Sequence, residues 1–452
     1  MKTCTLVSTF AVCVFAIIPV SFAQLEQTWQ DIPWSDGGLT PTGPIWSLDG
    51  FHDFDNDDRG EFYLSSSWGG AYGIDAMLYE VKPSGSYQVI WYAWFNQLDL
   101  SEGNYSVMTH CDLDNDQLPE LVVFLDAPAG TDSLYVYEFD PHTGLFPATP
   151  TTSWDLNVTG GIEEVGSIQA DDVDNDGNQE LVLYFYSSST GAAHLMVIQL
   201  DEGSSLERPL WTVELNDTDT FKFYGYFLKI TDLDCDGLKE IIAVEWNYCR
   251  MVIYEDNGQG LFKKVNDLFL TFEPLAFSND GAAEVDVDHD GLNELYLATT
   301  AGYLWVIQNQ GDVSQISFAN NFTLIHDFMS DGNHIPTQLK LLEPSDPNAP
   351  IEPGVSMYLA TTDTSETQSN LFEIRYATGD PAQPSNYTIT SVFRENRQND
   401  ELFKISKFGF GDSNGNGLLD VVLGSFSLDY GTPHVIVLEE SDPNMLSDAI
   451  ER

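Results

Sequence analysis

The sequence predicts an all-β protein built from seven repeated units. Three observations support this prediction. An acidic string of alternating carboxylates recurs along the chain, and a strand-like run of alternating apolar residues and a turn follow each copy. Apolar residues at helical spacing are almost absent. The copies of the acidic string begin at Asp53, Asp112, Asp172, Asp232, Asp286 and Asp412.

The spacing of the acidic strings gives the number of units. Successive copies start 59, 60, 60, 54 and 126 residues apart, so the last interval is about twice the others. A degenerate sixth unit therefore lies between the fifth and seventh copies. Its second strand is recognisable, because residues 357–362 repeat the pattern of residues 295–300. The segment ahead of that strand, residues 343–353, has lost the acidic string and gained prolines.

Each unit reads as four antiparallel strands. In the third unit these fall near residues 162–170, 180–186, 193–200 and 210–214, with the acidic string between the first two. Four strands per repeat of this length are typical of a β-propeller blade. The seventh unit ends after its third strand, and a segment ahead of the first unit is left over. We therefore predict that this segment closes a seven-bladed ring, in preference to an open β-solenoid or several small sandwiches.

The predicted chain has four parts. Residues 1–23 carry Lys2, an apolar run and a small-x-small ending, which is the pattern of a secretory signal peptide and too short for a membrane anchor. Residues 24–45 supply the outer strand of the last blade, and residues 441–452 form an acidic tail. We expect a secreted protein, extracellular, periplasmic or associated with a cell surface, with no membrane span. The seven blades occupy residues 46–440, near 46–95, 105–156, 162–215, 224–272, 279–326, 335–393 and 403–440.

The charge balance excludes several classes of partner. The chain has 71 acidic against 17 basic residues, a net charge of -54. Nucleic acid and anionic membranes are therefore not expected to bind. The hydrophobic fraction of 42%, with 27 Phe, 20 Tyr and 10 Trp, is too high for an acidic disordered chain. Many of the carboxylates are thus expected to meet cations.

The acidic string has the chemistry of a calcium loop. In the third unit, Asp172, Asp174 and Asp176 alternate in a tight loop, Gly177 allows the chain to turn back, and Glu180 opens the next strand. Calcium takes six to eight oxygen ligands at about 2.3–2.6 Å in irregular geometry. The string already supplies enough oxygens to enclose an ion, so we predict about five to six structural rather than catalytic Ca²⁺ ions.

Six loops contribute the predicted metal ligands. In each loop these are the alternating side chains, the residue after the turn through its carbonyl, and the final acid. The predicted ligands are Asp53, Asp55, Asp57, Arg59, Glu61, Asp112, Asp114, Asp116, Leu118, Glu120, Asp172, Asp174, Asp176, Asn178, Glu180, Asp232, Asp234, Asp236, Leu238, Glu240, Asp286, Asp288, Asp290, Leu292, Glu294, Asp412, Asn414, Asn416, Leu418 and Asp420.

The loops differ in detail. Asp58 and Gln117 stand where the other loops have glycine, which predicts strained or slightly different turns. The seventh loop has Asn414 and Asn416 in place of aspartates and is expected to bind most weakly. An EF-hand is excluded, because that motif needs a glutamate at loop position 12. The residues at position 12 are all apolar: Leu64, Val123, Leu183, Ala243, Leu297 and Leu423.

The nine-residue loop between the first two strands of a blade, repeated in register, resembles the FG-GAP/VCBS repeats of integrin-α-type seven-bladed propellers. The resemblance covers essentially the whole mature chain. It implies a propeller with structural calcium and a role in binding or adhesion. Phe408 and Gly409 match the family's Phe-Gly, but the Gly-Ala-Pro half is absent.

Other candidate residues carry less chemistry. Histidine is a poor calcium ligand, so His52, His110 and His289 are expected to be bystanders, with a shared histidine site at the central channel as the alternative. Cys111, Cys235 and Cys249 are expected to be free thiols. The aromatic residues at 87–95 are expected to pack between blades rather than to line a glycan groove.

No catalytic sequence motif stands out. We therefore predict a calcium-stabilised binding or adhesion module for an extracellular protein or glycan. The alternative is a secreted carbohydrate-active enzyme, a polysaccharide lyase or hydrolase.

Overall fold

The computed structural model describes residues 25–31, 44–66, 74–95, 105–127, 129–158, 161–187, 191–201, 204–218, 225, 227–245, 250–258, 260–269, 277–332, 334–342, 356–363, 368–396, 404–425 and 435–440. Helix within these residues is confined to α1 (Phe318–Asn321) and two short 3₁₀ segments, Val313–Gln315 and Pro384–Asn386. None of these helices is long or apolar enough to cross a membrane. The predicted signal peptide, the acidic tail and Cys249 lie outside the described residues.

Nearly all the described secondary structure is β-strand. The strands are β1 Leu25–Gln30, β2 Ile45–Leu48, β3 Glu61–Ser66, β4 Ile74–Val81, β5 Tyr87–Phe95, β6 Ser106–Cys111, β7 Glu120–Leu125, β8 Leu134–Glu138, β9 Thr152–Trp154, β10 Glu164–Asp171, β11 Glu180–Ser187, β12 Ala192–Leu200, β13 Trp211–Asp217, β14 Phe227–Thr231, β15 Glu240–Glu245, β16 Arg250–Asp256, β17 Phe262–Phe269, β18 Phe277–Val285, β19 Glu294–Thr299, β20 Tyr303–Ile307, β21 Phe322–Asp327, β22 His334–Leu341, β23 Ser356–Asp363, β24 Gln368–Tyr376, β25 Tyr387–Asn396, β26 Ile405–Gly411, β27 Asp420–Ser425 and β28 Val435–Glu440.

The described strands pair antiparallel in every case but one, and mostly in chain order. Four sheets take consecutive strands, β2–β5, β6–β9, β10–β13 and β14–β17. An eight-stranded sheet has the order β21-β20-β19-β18-β22-β23-β24-β25. Its two antiparallel halves meet at a parallel pair in which Gly281 lies opposite Leu339. The remaining sheet has the order β1-β28-β27-β26, so it combines the two ends of the described chain.

The N-terminal strand supplies the outer edge of this last sheet. β1 runs antiparallel to β28, with Leu25 opposite Glu440 and Gln30 opposite Ile436. Asp31 extends the contact, because its side chain accepts a hydrogen bond from the backbone N–H of Val435 at 2.9 Å. The two ends of the described chain are therefore held in one sheet.

The first strand of each four-stranded run lines a common central cavity of about 1040 Å³. Each of these inner strands contacts the next one along the chain, and β26 contacts β2. The inner strands therefore close a circle, which is a propeller-like arrangement. In chain order they are β2, β6, β10, β14, β18, β22 and β26.

The cores lie between neighbouring sheets. In β7, Leu121 and Val123 pack toward the preceding sheet, whereas Val122 and Phe124 pack toward the following one. Alternate residues of a strand point to opposite faces, so a strand buried on both faces reads as a continuous apolar run. The first and last sheets share such a core as well, which includes Ile45, Val422 and Val437.

Aromatic residues of β5 fill two of these cores. Trp91 packs edge-on against Tyr137 with ring centroids 4.9 Å apart, and Tyr87 joins the core between the first and last sheets. The prediction that this aromatic segment packs between blades is confirmed for both residues. Trp94 differs, because 52% of its surface is exposed.

Gly409 lies where the last inner strand closely approaches the first sheet. A β-carbon at this position would lie 2.5 Å from the α-carbon of Gly50, so no other residue fits without moving the backbone. The Phe-Gly pair noted in the sequence therefore has a packing reason.

Candidate metal centres

The six acidic loops connect the first and second strands of their sheets. Each loop turns through two residues in the left-handed region. In the third loop these are Asn175 and Gly177, with φ of 60° and 94°. Asp58 and Gln117 adopt φ of 66° and 71° at the glycine position, so these loops form the same turn with non-glycine residues in a conformation that favours glycine.

The first aspartate of each loop holds the turn together. In the second loop, Asp112 accepts a hydrogen bond from the N–H of Asp116 at 3.1 Å on one oxygen and from the N–H of Gln117 at 3.0 Å on the other. The turn is therefore folded around this carboxylate. The same bond to the glycine position recurs in all the other loops.

The residue after the turn is held through its own backbone. The N–H of Leu118 donates to Asp116 at 2.8 Å, and the corresponding N–H in every other loop donates to the third alternating side chain. The predicted carbonyl donors thus occupy equivalent places. Arg59 adds its side chain, because its guanidinium contacts Asp57 and lies 2.8 Å from Glu80.

The final acid of each loop is buried at the start of the second strand. Glu120 is fully buried, and its Oε2 accepts the N–H of Leu113 at 2.6 Å. Its Oε1 has no hydrogen-bond partner among the described residues. Glu61 and Glu240 repeat both features.

Further buried oxygens in the loops also lack partners among the described residues. They belong to the first or second aspartate of four loops. A buried polar atom without a partner is costly, so such a set favours a bound ion or ordered water that satisfies it. These atoms are Oδ1 of Asp55, Asp114, Asp172, Asp232 and Asp234.

The carboxylates converge closely enough to enclose an ion. One oxygen from each of Asp112, Asp114, Asp116 and Glu120 lies within 4.8 Å of the others. Ligands on opposite sides of a calcium ion are separated by up to about 5 Å, twice the calcium–oxygen distance. The structure brings together Asp53, Asp55 and Asp57, and likewise Asp172, Asp174 and Glu180, in the same way. The residues present therefore fit a calcium ion.

Burial and the neighbouring carboxylates raise the pKa of the final glutamates. Burial, followed by the neighbouring aspartates, raises the pKa of Glu120 and Glu240 to about 9. The same causes raise the pKa of Glu61, Glu180 and Glu294 to about 8. A bound divalent cation would reverse this trend, because it favours the charged form.

An additional acidic or amide side chain faces several of the final acids from the third strand. Glu120 lies opposite Glu138, and Glu180 lies opposite Gln199. Gln199 donates to Asp176 and Glu180, at 2.8 Å in both cases. The repeat pattern in the sequence does not single out these residues. The corresponding pairs are Glu61–Glu80, Glu240–Glu255 and Asp420–Glu439.

The sixth unit replaces this arrangement with an internal ion pair. Ser356 lies opposite Arg375, and both donate to Oε1 of Glu373 at 2.8 Å. The guanidinium thus supplies a fixed positive charge at this position. The segment that lost the acidic string lies outside the described residues.

The seventh loop is the least acidic. The amide groups of Asn414 and Asn416 both donate to Glu439 at 3.1 Å. Asp420 accepts hydrogen bonds from the N–H of Ser413 at 2.9 Å and from its hydroxyl at 2.6 Å. Burial raises the pKa of Asp420 only to about 6.

Neighbouring loops are tied to one another. The amide of Asn115 donates to the carbonyl of Gly177 at 3.0 Å, and that of Asn175 donates to the carbonyl of Gly237 at 2.9 Å. The N–H of Gly60 donates to the carbonyl of Ser413 at 2.8 Å, which links the first loop to the seventh. The second, third and fourth loops are therefore linked in series, and the first loop is linked to the seventh.

Comparison with known proteins does not assign the chain to a family. No protein-family model and no curated protein matches the chain. Two solved structures of BBS1N in complex with ARL6DN, soaked with lead and with mercury, are similar at TM-scores of 0.48 and 0.46. They are 9% and 10% identical, cover 93% of this chain, and are themselves covered over 98% and 97%.

A periplasmic gluconolactonase of Pseudomonas aeruginosa, PpgL, is similar at a TM-score of 0.45 and 12% identity, over 77% of this chain and 85% of that one. These likenesses are too distant to bear on function. The propeller-like fold therefore rests on the sheets and on the circle of inner strands. The finer resemblance to FG-GAP/VCBS repeats is not matched by a family model.

Proposed function

We propose that the protein is an exported, calcium-stabilised β-propeller that serves as a binding or adhesion module for an extracellular protein or glycan. The eight-stranded sheet counts as two blades in this proposal, which makes seven. Five strongly acidic loops and the weaker seventh loop would hold about five to six Ca²⁺ ions.

The unpartnered carboxylate oxygens are the observation that carries this proposal. In the second loop, Oδ1 of Asp114 and Oε1 of Glu120 are buried without a partner among the described residues, while the other oxygen of Glu120 is held by the loop backbone. Oxygen-only ligands at this spacing suit calcium better than zinc or copper.

The acidic loops would enclose the ion, which supports a structural role for it. Each loop wraps its carboxylates with its own N–H groups, and the final acid is buried. A catalytic metal site keeps an open position for substrate. An enclosed ion instead fixes the turn between the two inner strands of a blade, and Asn115 carries that order to the next loop.

The partner is proposed from charge and accessibility. A net charge of -54 favours basic or calcium-bridged partners and disfavours nucleic acid. Trp94 and Phe269, on the outer strands β5 and β17, are exposed aromatic residues of the kind that bind sugars by stacking, although the guanidinium of Arg250 lies over one face of Phe269.

A carbohydrate-active enzyme is the second candidate. The open central cavity favours it, because Asp49, His52 and Tyr63 at its wall could hold a substrate beside ionisable groups. The calcium loops would be structural in this case too.

A paired assay separates the two candidates. The full mature chain is tested for turnover on a panel of polysaccharides, and for saturable binding to a glycan array and to extracellular proteins, each with calcium and with chelator. The binding module predicts calcium-dependent, saturable binding without turnover. Calcium-dependent turnover of a polysaccharide would overturn it in favour of the enzyme.

A further inference from the structure

A histidine-containing cluster lies at the wall of the central cavity, beside the first and second acidic loops but built from other residues. Nε2 of His52 is 3.3 Å from Oδ2 of Asp49, and Nδ1 of His110 is 4.0 Å from the same oxygen. The two imidazole rings have centroids 4.2 Å apart. All three side chains are partly exposed, between 29% and 36%.

Two neighbouring sheets build this cluster. Asp49 directly follows β2, and His52 is bridged to Glu61 at the start of β3. His110 comes from β6 in the next sheet. The cluster therefore spans the junction between two blades, where the folded ring alone brings the residues together.

The donor set differs in kind from the loops. The acidic loops offer only oxygen, which suits calcium, whereas two imidazoles and a carboxylate suit zinc. Zinc binds nitrogen and oxygen at about 2.0–2.2 Å, so tetrahedral ligands lie about 3.4 Å apart. The separation of 3.3 Å is close to this value, and the separation of 4.0 Å is longer.

We propose that Asp49, His52 and His110 form a binding site for Zn²⁺ or a similar divalent metal ion such as Co²⁺. This site is distinct from the calcium loops. Three protein ligands leave one coordination position for a small molecule or water from the cavity. The cavity reaches Asp49 and His52 directly. The ion would thus place a Lewis acid at the centre of the ring.

Two neighbours set the orientation and charge of Asp49. The hydroxyl of Tyr63 donates to its Oδ2 at 3.2 Å, which makes Tyr63 a positioning residue. Nζ of Lys340 lies 3.1 Å from its Oδ1. The lysine charge repels a cation at the cluster, so removing it strengthens metal binding.

Metal titration of the full mature chain tests the proposal. The protein is stripped of metal and returned to excess calcium, so that the acidic loops are occupied. Zn²⁺ is then titrated calorimetrically, and Co²⁺ is titrated by its visible absorption. The variants are His52→Gln, His110→Gln, Tyr63→Phe and Lys340→Met, with His142→Gln as the control at an exposed histidine elsewhere.

The expected result is one transition ion per chain in the wild type and in His142→Gln. His52→Gln and His110→Gln lose this binding, and Tyr63→Phe weakens it by about tenfold or more. Lys340→Met strengthens it, a direction that misfolding does not produce. Absence of Zn²⁺ and Co²⁺ binding in excess calcium overturns the proposal, as does binding that the two histidine variants leave unchanged. Neither result bears on the calcium loops, which are measured separately.

Discussion

Glu120 lies directly opposite Glu138 on the neighbouring strands β7 and β8. Like charges in this relation repel, and the sheet gains stability only if a cation or a proton intervenes. The sixth unit has Ser356 opposite Arg375 at the equivalent place, where the positive charge belongs to the chain. The contrast favours a counter-charge from outside the chain at the second loop, whereas in the first loop the guanidinium of Arg59 already lies 2.8 Å from Glu80.

Removing one alternating aspartate should remove one ion. We expect Asp174→Ala to bind one calcium fewer and to lose about 2.7 kcal/mol of stability when calcium stands at 100 times the Kd of that site. In excess chelator the same substitution should change stability by less than about 0.5 kcal/mol. Calcium titration and chemical denaturation of the same samples measure both.

Asn416→Ala is the matched control in the weakest loop. Because Asn416 already donates its amide to Glu439, we expect a smaller calcium-dependent loss than for Asp174→Ala. Equal losses would contradict the proposed ranking of the loops.

The metal-free protein should become less stable as pH rises from about 5 to 9. The pKa values of Glu61, Glu180 and Glu294 are raised by burial to about 8, and those of Glu120 and Glu240 to about 9. Between the ordinary glutamate pKa of 4.5 and these values the folded state binds more protons than the unfolded state. Stability is therefore highest at the acidic end and is lost as pH rises through the folded pKa values.

Saturating calcium should reverse the slope between about pH 5 and 7, because protons then compete with the ion for the carboxylates. Thermal melts across this range, with calcium and with chelator, provide the comparison. Parallel pH profiles in the two conditions would argue against ion binding at these glutamates.

The hydrogen bonds between the second, third and fourth loops predict coupling between them. Asn115→Gly keeps the left-handed turn but removes the amide that donates to Gly177. We expect calcium affinity at the third loop to fall by about fivefold. Asn56→Gly is the control, since Asn56 occupies the same turn position at φ 59° without such a bond among the described residues. A similar effect of both variants in a calcium titration would exclude coupling through Asn115.

The glycine position can be tested by a reciprocal exchange. Gly177 has φ of 94° and no atom near its β-carbon position, so Gly177→Ala should cost about 1–2 kcal/mol through backbone strain alone. Gln117→Gly relieves the same strain at φ 71° and should stabilise by about 0.5–1 kcal/mol. Denaturant titrations of both variants measure the two signs, and a destabilised Gln117→Gly would contradict the account.

Most of the sequence prediction rested on patterns among residues that are close together in the chain. The alternating aspartates and the apolar run after Glu120 lie next to each other in the chain, so the loops and second strands were visible. Glu138 was missed because only the register of β7 and β8 brings it opposite Glu120. In the sequence alone, Glu138 looks like an ordinary polar residue at the end of a strand.

The histidine cluster shows the same limit. His52 and His110 belong to different units, and both were expected to be bystanders beside calcium loops, with a shared histidine site at the central channel only as the alternative. Their proximity depends on the angle at which neighbouring sheets pack around the cavity. A repeat pattern contains no information on that packing angle. Asp49 and Lys340, which are far apart in the chain, form an ion pair there for the same reason.

Equilibrium dialysis of residues 24–452 against calcium is the decisive measurement. The account predicts about five to six bound Ca²⁺ ions per chain, with the weakest at the seventh loop and one fewer in Asp174→Ala. A folded protein that retains no tightly held calcium would contradict it.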